Sequence, residues 1–155
     1  MNILFVGKYN PEYNRNKIIL EGLRKLDDLT VFELPFNKKK DFNLKEFNRL
    51  QTECDFIYCP SFSHKFVKLI TKKASKPVVF DPLISNYLTK VFDYKSVSKW
   101  SPRAYKNYLK DKLPFKAVDL LIADTEEHKK YYHKYLLQNL DLVFSLHGYL
   151  HHLPQ

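Results

Sequence analysis

The amino-acid sequence predicts an α/β domain built on a doubly wound parallel sheet. Three observations predict it. Short apolar runs alternate with segments whose apolar residues recur at helical spacing. The runs are continuously apolar, as strands buried on both faces are. Four of them stop at a glycine or proline: Gly7, Pro35, Pro60 and Pro82.

Ile3-Leu4-Phe5-Val6 forms the first strand and ends at Gly7. A loop follows, Lys8 to Glu12. Ile18, Ile19, Gly22, Leu23 and Leu26 then predict a helix over roughly 14–27. Thr30 to Leu34 reads as the second strand. Lys38-Lys39-Lys40 is a solvated basic turn. Asn43, with Glu46 three residues later, marks a helix start. Asp55 to Cys59 is the third strand. Phe66, Val67, Leu69 and Ile70 share one face of the next helix. Pro77 to Asp81 is the fourth strand.

The stretch 83–117 is less regular. Trp100, Ala104, Tyr105, Tyr108 and Leu109 predict a helix within it. Asp119 to Ala123 is the fifth strand. Asp124 is expected to cap the helix that follows, with Glu127 in the reciprocal position. Asp141 to Ser145 is a sixth strand. Alternating units of this kind place helices on both faces of the sheet, a Rossmann-like arrangement. Ligands then bind beyond the carboxyl ends of the strands, where the strand order reverses. The expected crevice gathers residues 8–12, 60–63, 81–85 and 124–125.

Composition narrows the class. The 155 residues fit one domain with a core of its own. Cys54 and Cys59 make no disulfide framework, and no apolar run reaches the ~18 residues of a membrane span. The opening residues lack a signal peptide's basic flank and cleavage site. A soluble cytoplasmic domain is expected. Lys and Arg number 26 against 17 Asp and Glu, a net charge of +9, which calls for an anionic partner. The glycines are Gly7, Gly22 and Gly148, so no glycine-rich nucleotide loop exists.

Several residues carry possible chemistry. Arg15 and Asn16 begin the first helix, where an arginine can grip an anion bidentately or lie solvated. Asp81 ends the fourth strand. Its carboxylate can accept a substrate hydroxyl, act as a base, or satisfy the amides of the next turn. Asp124 and His128 lie at the start of the last helix. Cys54 and Cys59 flank a strand with side chains expected on opposite faces, both structural. His147, His151 and His152 lack a carboxylate or cysteine to complete a metal site. Lys65, Lys68 and Lys72 form one basic helix face. Lys99, Arg103, Lys106 and Lys110 form another on the helix assigned to Trp100. Such faces suit anionic lipid or plain solvation. Stacking on single-stranded nucleic acid needs exposed rings, and most aromatic residues fall on apolar faces instead.

Two blocks resemble a known family. One is Val79-Phe80-Asp81-Pro82-Leu83-Ile84-Ser85-Asn86-Tyr87, running on to Val91-Phe92-Asp93. The other is Ala117 to His128, followed by Tyr131-Tyr132. With Val6-Gly7-Lys8-Tyr9 and Arg15, they resemble the N-terminal domain of family 4 glycosyltransferases over about residues 1–135. Residues 136–155 are atypical for it.

The resemblance implies one half of a GT-B fold. That half holds a saccharide or lipid-linked acceptor, while a C-terminal domain mostly holds the nucleotide-sugar donor. The chain then reads as half an enzyme, inactive alone, cytoplasmic or peripheral at the inner membrane. Many relatives carry a histidine where this chain has Asp81, which makes Asp81 the catalytic candidate. On this reading Asp81→Asn keeps the fold and lowers activity. The substrate-binding candidates are Gly7, Lys8, Tyr9, Arg15, Ser85, Tyr87, Asp124 and His128. No metal and no cofactor is expected. The expected partners are donor, acceptor and an anionic membrane surface, and not nucleic acid. The alternative is a non-catalytic Rossmann-like binding module, or a partner of a separately encoded donor domain.

Overall fold

The computed structural model describes residues 1–136 and 143–145. Six strands form one sheet: β1 (Asn2–Gly7), β2 (Thr30–Pro35), β3 (Phe56–Cys59), β4 (Val78–Phe80), β5 (Leu120–Ala123) and β6 (Val143–Ser145). Their order is β2-β1-β3-β4-β5-β6, and all five pairings are parallel. The helices are α1 (Asn14–Arg24), α2 (Leu44–Glu53), α3 (His64–Thr71), α4 (Asn86–Leu88), α5 (Pro102–Phe115) and α6 (Glu126–Tyr131). This is the predicted Rossmann-like α/β architecture.

Alternate strand residues feed two cores. Leu4, Val6, Ile57, Cys59, Phe80 and Leu121 point to one face and meet Phe47 of α2, Phe66, Val67 and Ile70 of α3, and Phe115 of α5. Ile3, Phe5 and Tyr58 point to the other and meet Leu20 of α1. The period-2 alternation of a strand thus serves helices on both sides.

Boundaries and caps differ from expectation in four places. Helix α1 stops at Arg24, and Leu26 is exposed beyond it. Thr125, not Asp124, caps α6: its backbone is extended and its hydroxyl accepts from His128 N at 3.1 Å. Trp100 precedes α5 instead of packing from it. Ser101 caps that helix and Pro102 opens it, which leaves Trp100 and Lys99 outside. Cys54 lies before β3 begins, so strand alternation does not separate it from Cys59, and both enter the same core. Burial pushes the Cys59 thiol well above its usual pKa, as expected of an inert structural cysteine. His147, His151 and His152 fall outside the described residues.

Gly22 gives a first prediction. It lies within α1, and a Cβ there would have nothing within 4 Å. Gly22→Ala should stabilise the fold by roughly 0.5–1 kcal/mol, because alanine loses less backbone entropy on folding. Urea unfolding of the two proteins checks this.

Candidate functional site

The strand order reverses between β1 and β3, since β2 lies on one side of β1 and the later strands on the other. In doubly wound sheets this reversal, at the carboxyl ends of the strands, is where ligands bind. Gly7 ends β1 with φ +141°, and a Cβ on it would overlap the Ser63 hydroxyl. That hydroxyl accepts from Lys8 N at 3.1 Å and donates to Lys8 O at 3.2 Å. The loop after β1 is therefore pinned to the loop after β3. Asn16 is buried beside it, donating to Asn10 O and accepting from the Ser61 hydroxyl, each at 3.1 Å. Tyr9, a binding candidate, packs in the core. Its ring packs edge-on against Phe5, and its hydroxyl donates to Glu33 at 2.8 Å.

Arg15 and Asp81 meet at this edge although 66 residues separate them. The guanidinium donates from Nε and from Nη2, each at 2.8 Å, one to each carboxylate oxygen. Tyr58 OH adds a donor at 2.9 Å and Leu83 N another at 3.2 Å. Asp81 is only 1% exposed, so these four donors satisfy it within the protein. Burial acts to lower the Arg15 pKa, but the hydrogen bond and charge of Asp81 outweigh it and hold the guanidinium above its usual value. Burial, then Asp81, pushes the Tyr58 phenol well up. Leu83 adopts φ 64°, a left-handed conformation costly for a non-glycine residue, and this turn aims its amide at Asp81.

A second carboxylate centre escaped sequence reasoning. Asp111, on α5, is fully buried. It accepts from the Ser85 hydroxyl at 2.7 Å, Asn86 N at 3.1 Å, Asn86 Nδ2 at 2.9 Å and Tyr87 N at 2.8 Å. It thus caps α4 from a distance and fixes both Ser85 and Tyr87. A signal existed: Ala104, Asn107 and Asp111 recur at i, i+3, i+7, which places the aspartate on the buried face of α5.

His64 Nε2 lies 3.8 Å from Asp111 Oδ1. Burial lowers the His64 pKa, against the attraction of Asp111 and a hydrogen bond with the Ile84 backbone. The unfolded imidazole titrates near 6.5, and the folded one refuses the proton until lower pH. Stability should therefore fall as pH drops below about 6.5, because the unfolded chain binds the extra proton. Between pH 7 and pH 5, the wild type should lose more stability than His64→Gln. Equal losses in urea titrations would contradict this.

Asp124, beyond β5, bonds through Oδ1 to His128 Nδ1. The imidazole stacks on Tyr132, with centroids 6.0 Å apart. Both Asp124 and His128 are partly exposed. A carboxylate on Nδ1 fixes the tautomer and leaves Nε2 to meet a ligand hydroxyl. Tyr132 is fully buried, and its hydroxyl has no hydrogen-bond partner among the described residues. Burial raises its pKa, and Asp124, Asp111 and Asp81 raise it further.

Beside this site, Asn37, Lys38, Lys39, Lys65, Lys68, Leu69 and Lys72 line an open groove of about 610 Å³. Leu69 belongs to the basic side of α3 rather than to its core face. Among the described residues no group of three or more His, Cys, Asp or Glu is placed to hold a metal ion. Comparison with known protein families and with curated proteins finds no match.

Proposed function

We propose that this domain is the acceptor-binding half of a glycosyltransferase that uses a nucleotide-sugar donor, with a saccharide or lipid-linked acceptor. One observation carries the reading. The two sequence blocks that resemble the family, 79–93 and 117–132, place β4 and β5 side by side. Their following turns then bring Tyr87, Asp124 and His128 to the same sheet edge as Arg15, with the Ser85 hydroxyl buried against Asp111. Hydroxyl, imidazole and carboxylate groups at one edge are what a polyhydroxylated ligand requires. The His128 Nε2 and the carboxylate of Asp124 accept sugar hydroxyls, while the exposed Lys8 supplies positive charge and Arg15 is compensated by Asp81. The donor nucleotide is assigned to another domain, because three glycines in the chain make no phosphate-cradling loop.

A second reading is a binding module without catalytic groups. The saturation of Asp81 by Arg15, Tyr58 and Leu83 favours it, since the carboxylate keeps no role beyond positioning. Saturation-transfer NMR on the purified chain tests the shared core of both. Mono- and oligosaccharides should receive magnetisation, whereas UDP-glucose and GDP-mannose should receive little. Selective binding of the nucleotide-sugars would overturn the acceptor assignment.

A further inference from the structure

The carboxyl end of β4 leads into an ordered segment, residues 84–110, whose outer surface beyond Ser85 and Tyr87 serves none of the roles above. Val91, Val97 and Ala104 form a small core of their own, with Tyr87 packed on it. Tyr94 N donates to Thr89 O at 2.9 Å and Val97 N to Lys90 O at 3.2 Å, which locks the path between the helices. The same segment turns its rings outward. Trp100 is 89% exposed, Tyr94 76% and Tyr105 63%.

The rings of Phe92, Tyr87, Tyr108 and Tyr105 form one connected row. Phe92 meets Tyr87, Tyr87 meets Tyr108, and Tyr108 stacks on Tyr105, at centroid distances of 5.8, 5.9 and 6.3 Å. Lys99 links the two ends. It lines a pocket of about 400 Å³ with Tyr87 and Phe92, and its Nζ lies 5.5 Å from the centre of the Trp100 ring. Lys90, Lys95, Lys99, Arg103, Lys106 and Lys110 face a single acid, Asp93, within the segment.

An exposed aromatic patch held on a rigid support marks an interaction surface. Protein interfaces are depleted in lysine, and this surface is rich in it. Tryptophan and tyrosine ringed by lysine and arginine match the headgroup layer of a bilayer, and anionic lipid attracts the cations. We propose that this surface docks the protein on an anionic lipid bilayer, with Trp100 at headgroup depth. No helix among the described residues is long and apolar enough to cross a membrane, so their contact is interfacial. The docking does not depend on the sugar-transfer reading.

Trp100 is the only tryptophan of the chain, so its emission reports the contact directly. The full chain is titrated with vesicles of phosphatidylglycerol and phosphatidylcholine, and with phosphatidylcholine alone. The mixed vesicles should shift the emission to the blue, and brominated lipid should quench it. High salt should reverse the effect, and neutral vesicles should produce none. Trp100→Ala should lower co-sedimentation about tenfold. Lys99→Gln with Arg103→Gln should lower it about thirtyfold, at an unchanged thermal midpoint. An emission unmoved by anionic vesicles, or equal binding to neutral ones, overturns the proposal. So does a shift seen only with oligothymidylate, which assigns the surface to nucleic acid. A shift that follows protein concentration without lipid overturns it too, by assigning the surface to a second copy of the chain.

Discussion

Asp81→Asn should destabilise the protein by about 2–4 kcal/mol. Removing one partner of a buried ion pair typically costs about 3–5 kcal/mol, because the other charge is left buried and unpaired. Arg15 keeps 20% of its side chain in contact with water, which trims the upper end. The amide nitrogen of asparagine must also face a donor, since both oxygens of Asp81 accept two bonds each. At roughly 2–4 °C per kcal/mol for a chain of this size, the thermal midpoint drops by about 10 °C. The sequence alone predicts a tolerated substitution; the pairing of Arg15 with Asp81 from a distant element reverses that expectation. Arg15→Gln supplies the control. In that background Asp81→Asn should cost at least 1 kcal/mol less, because no guanidinium is stranded. Equal costs in both backgrounds would show that the pair contributes nothing.

Gly7→Ala should cost on the order of 3 kcal/mol. Two effects add. A φ of +141° is one that side-chain-bearing residues rarely adopt, and forcing one there costs roughly 1–3 kcal/mol. The new Cβ would also overlap Ser63 Oγ and come within 3.1 Å of Ser63 Cβ, and overpacking typically costs roughly 1–3 kcal/mol. Ser63 has little room to yield, being fully buried with its hydroxyl held at both ends by Lys8. Ser63→Gly in the Gly7→Ala background should recover part of the loss. Urea midpoints of the three variants check the argument, and a Gly7→Ala protein as stable as Gly22→Ala would refute it.

The sheet was legible because its strands are local, continuous apolar runs closed by glycine or proline. The expected third, fourth and fifth strands overrun the observed ones by one residue at an end, while β1 and β2 extend a residue past the expected runs. Pro77, Asp81 and Asp119 were read as strand, yet they sit just outside β4 and β5, where Asp81 and Asp119 still donate one ladder-like amide bond each. The site was legible as separate residues and not as pairs. Arg15 and Asp81 were each singled out, but their union depends on β1, β3 and β4 being neighbours, a fact no local pattern carries. The Asp111 centre was missed for the same reason, its partners lying about 25 residues away. Trp100 was misplaced because its spacing to Ala104 and Tyr108 mimics a helix face, although Ser101-Pro102 marks a helix start after it.

On the proposed function, the carboxyl edge around Arg15 and Asp81 receives a polyhydroxylated acceptor. The most direct measurement is a saccharide titration of the ¹⁵N-labelled chain, following its amides and the Arg15 Nε–H. Shifts should concentrate at Lys8, Arg15, Ser85, Tyr87 and His128, with the amino edge of the sheet unmoved. Shifts confined to residues 71–78 and 117–119 at that opposite edge, or no shifts with any saccharide at saturating concentration, would contradict it.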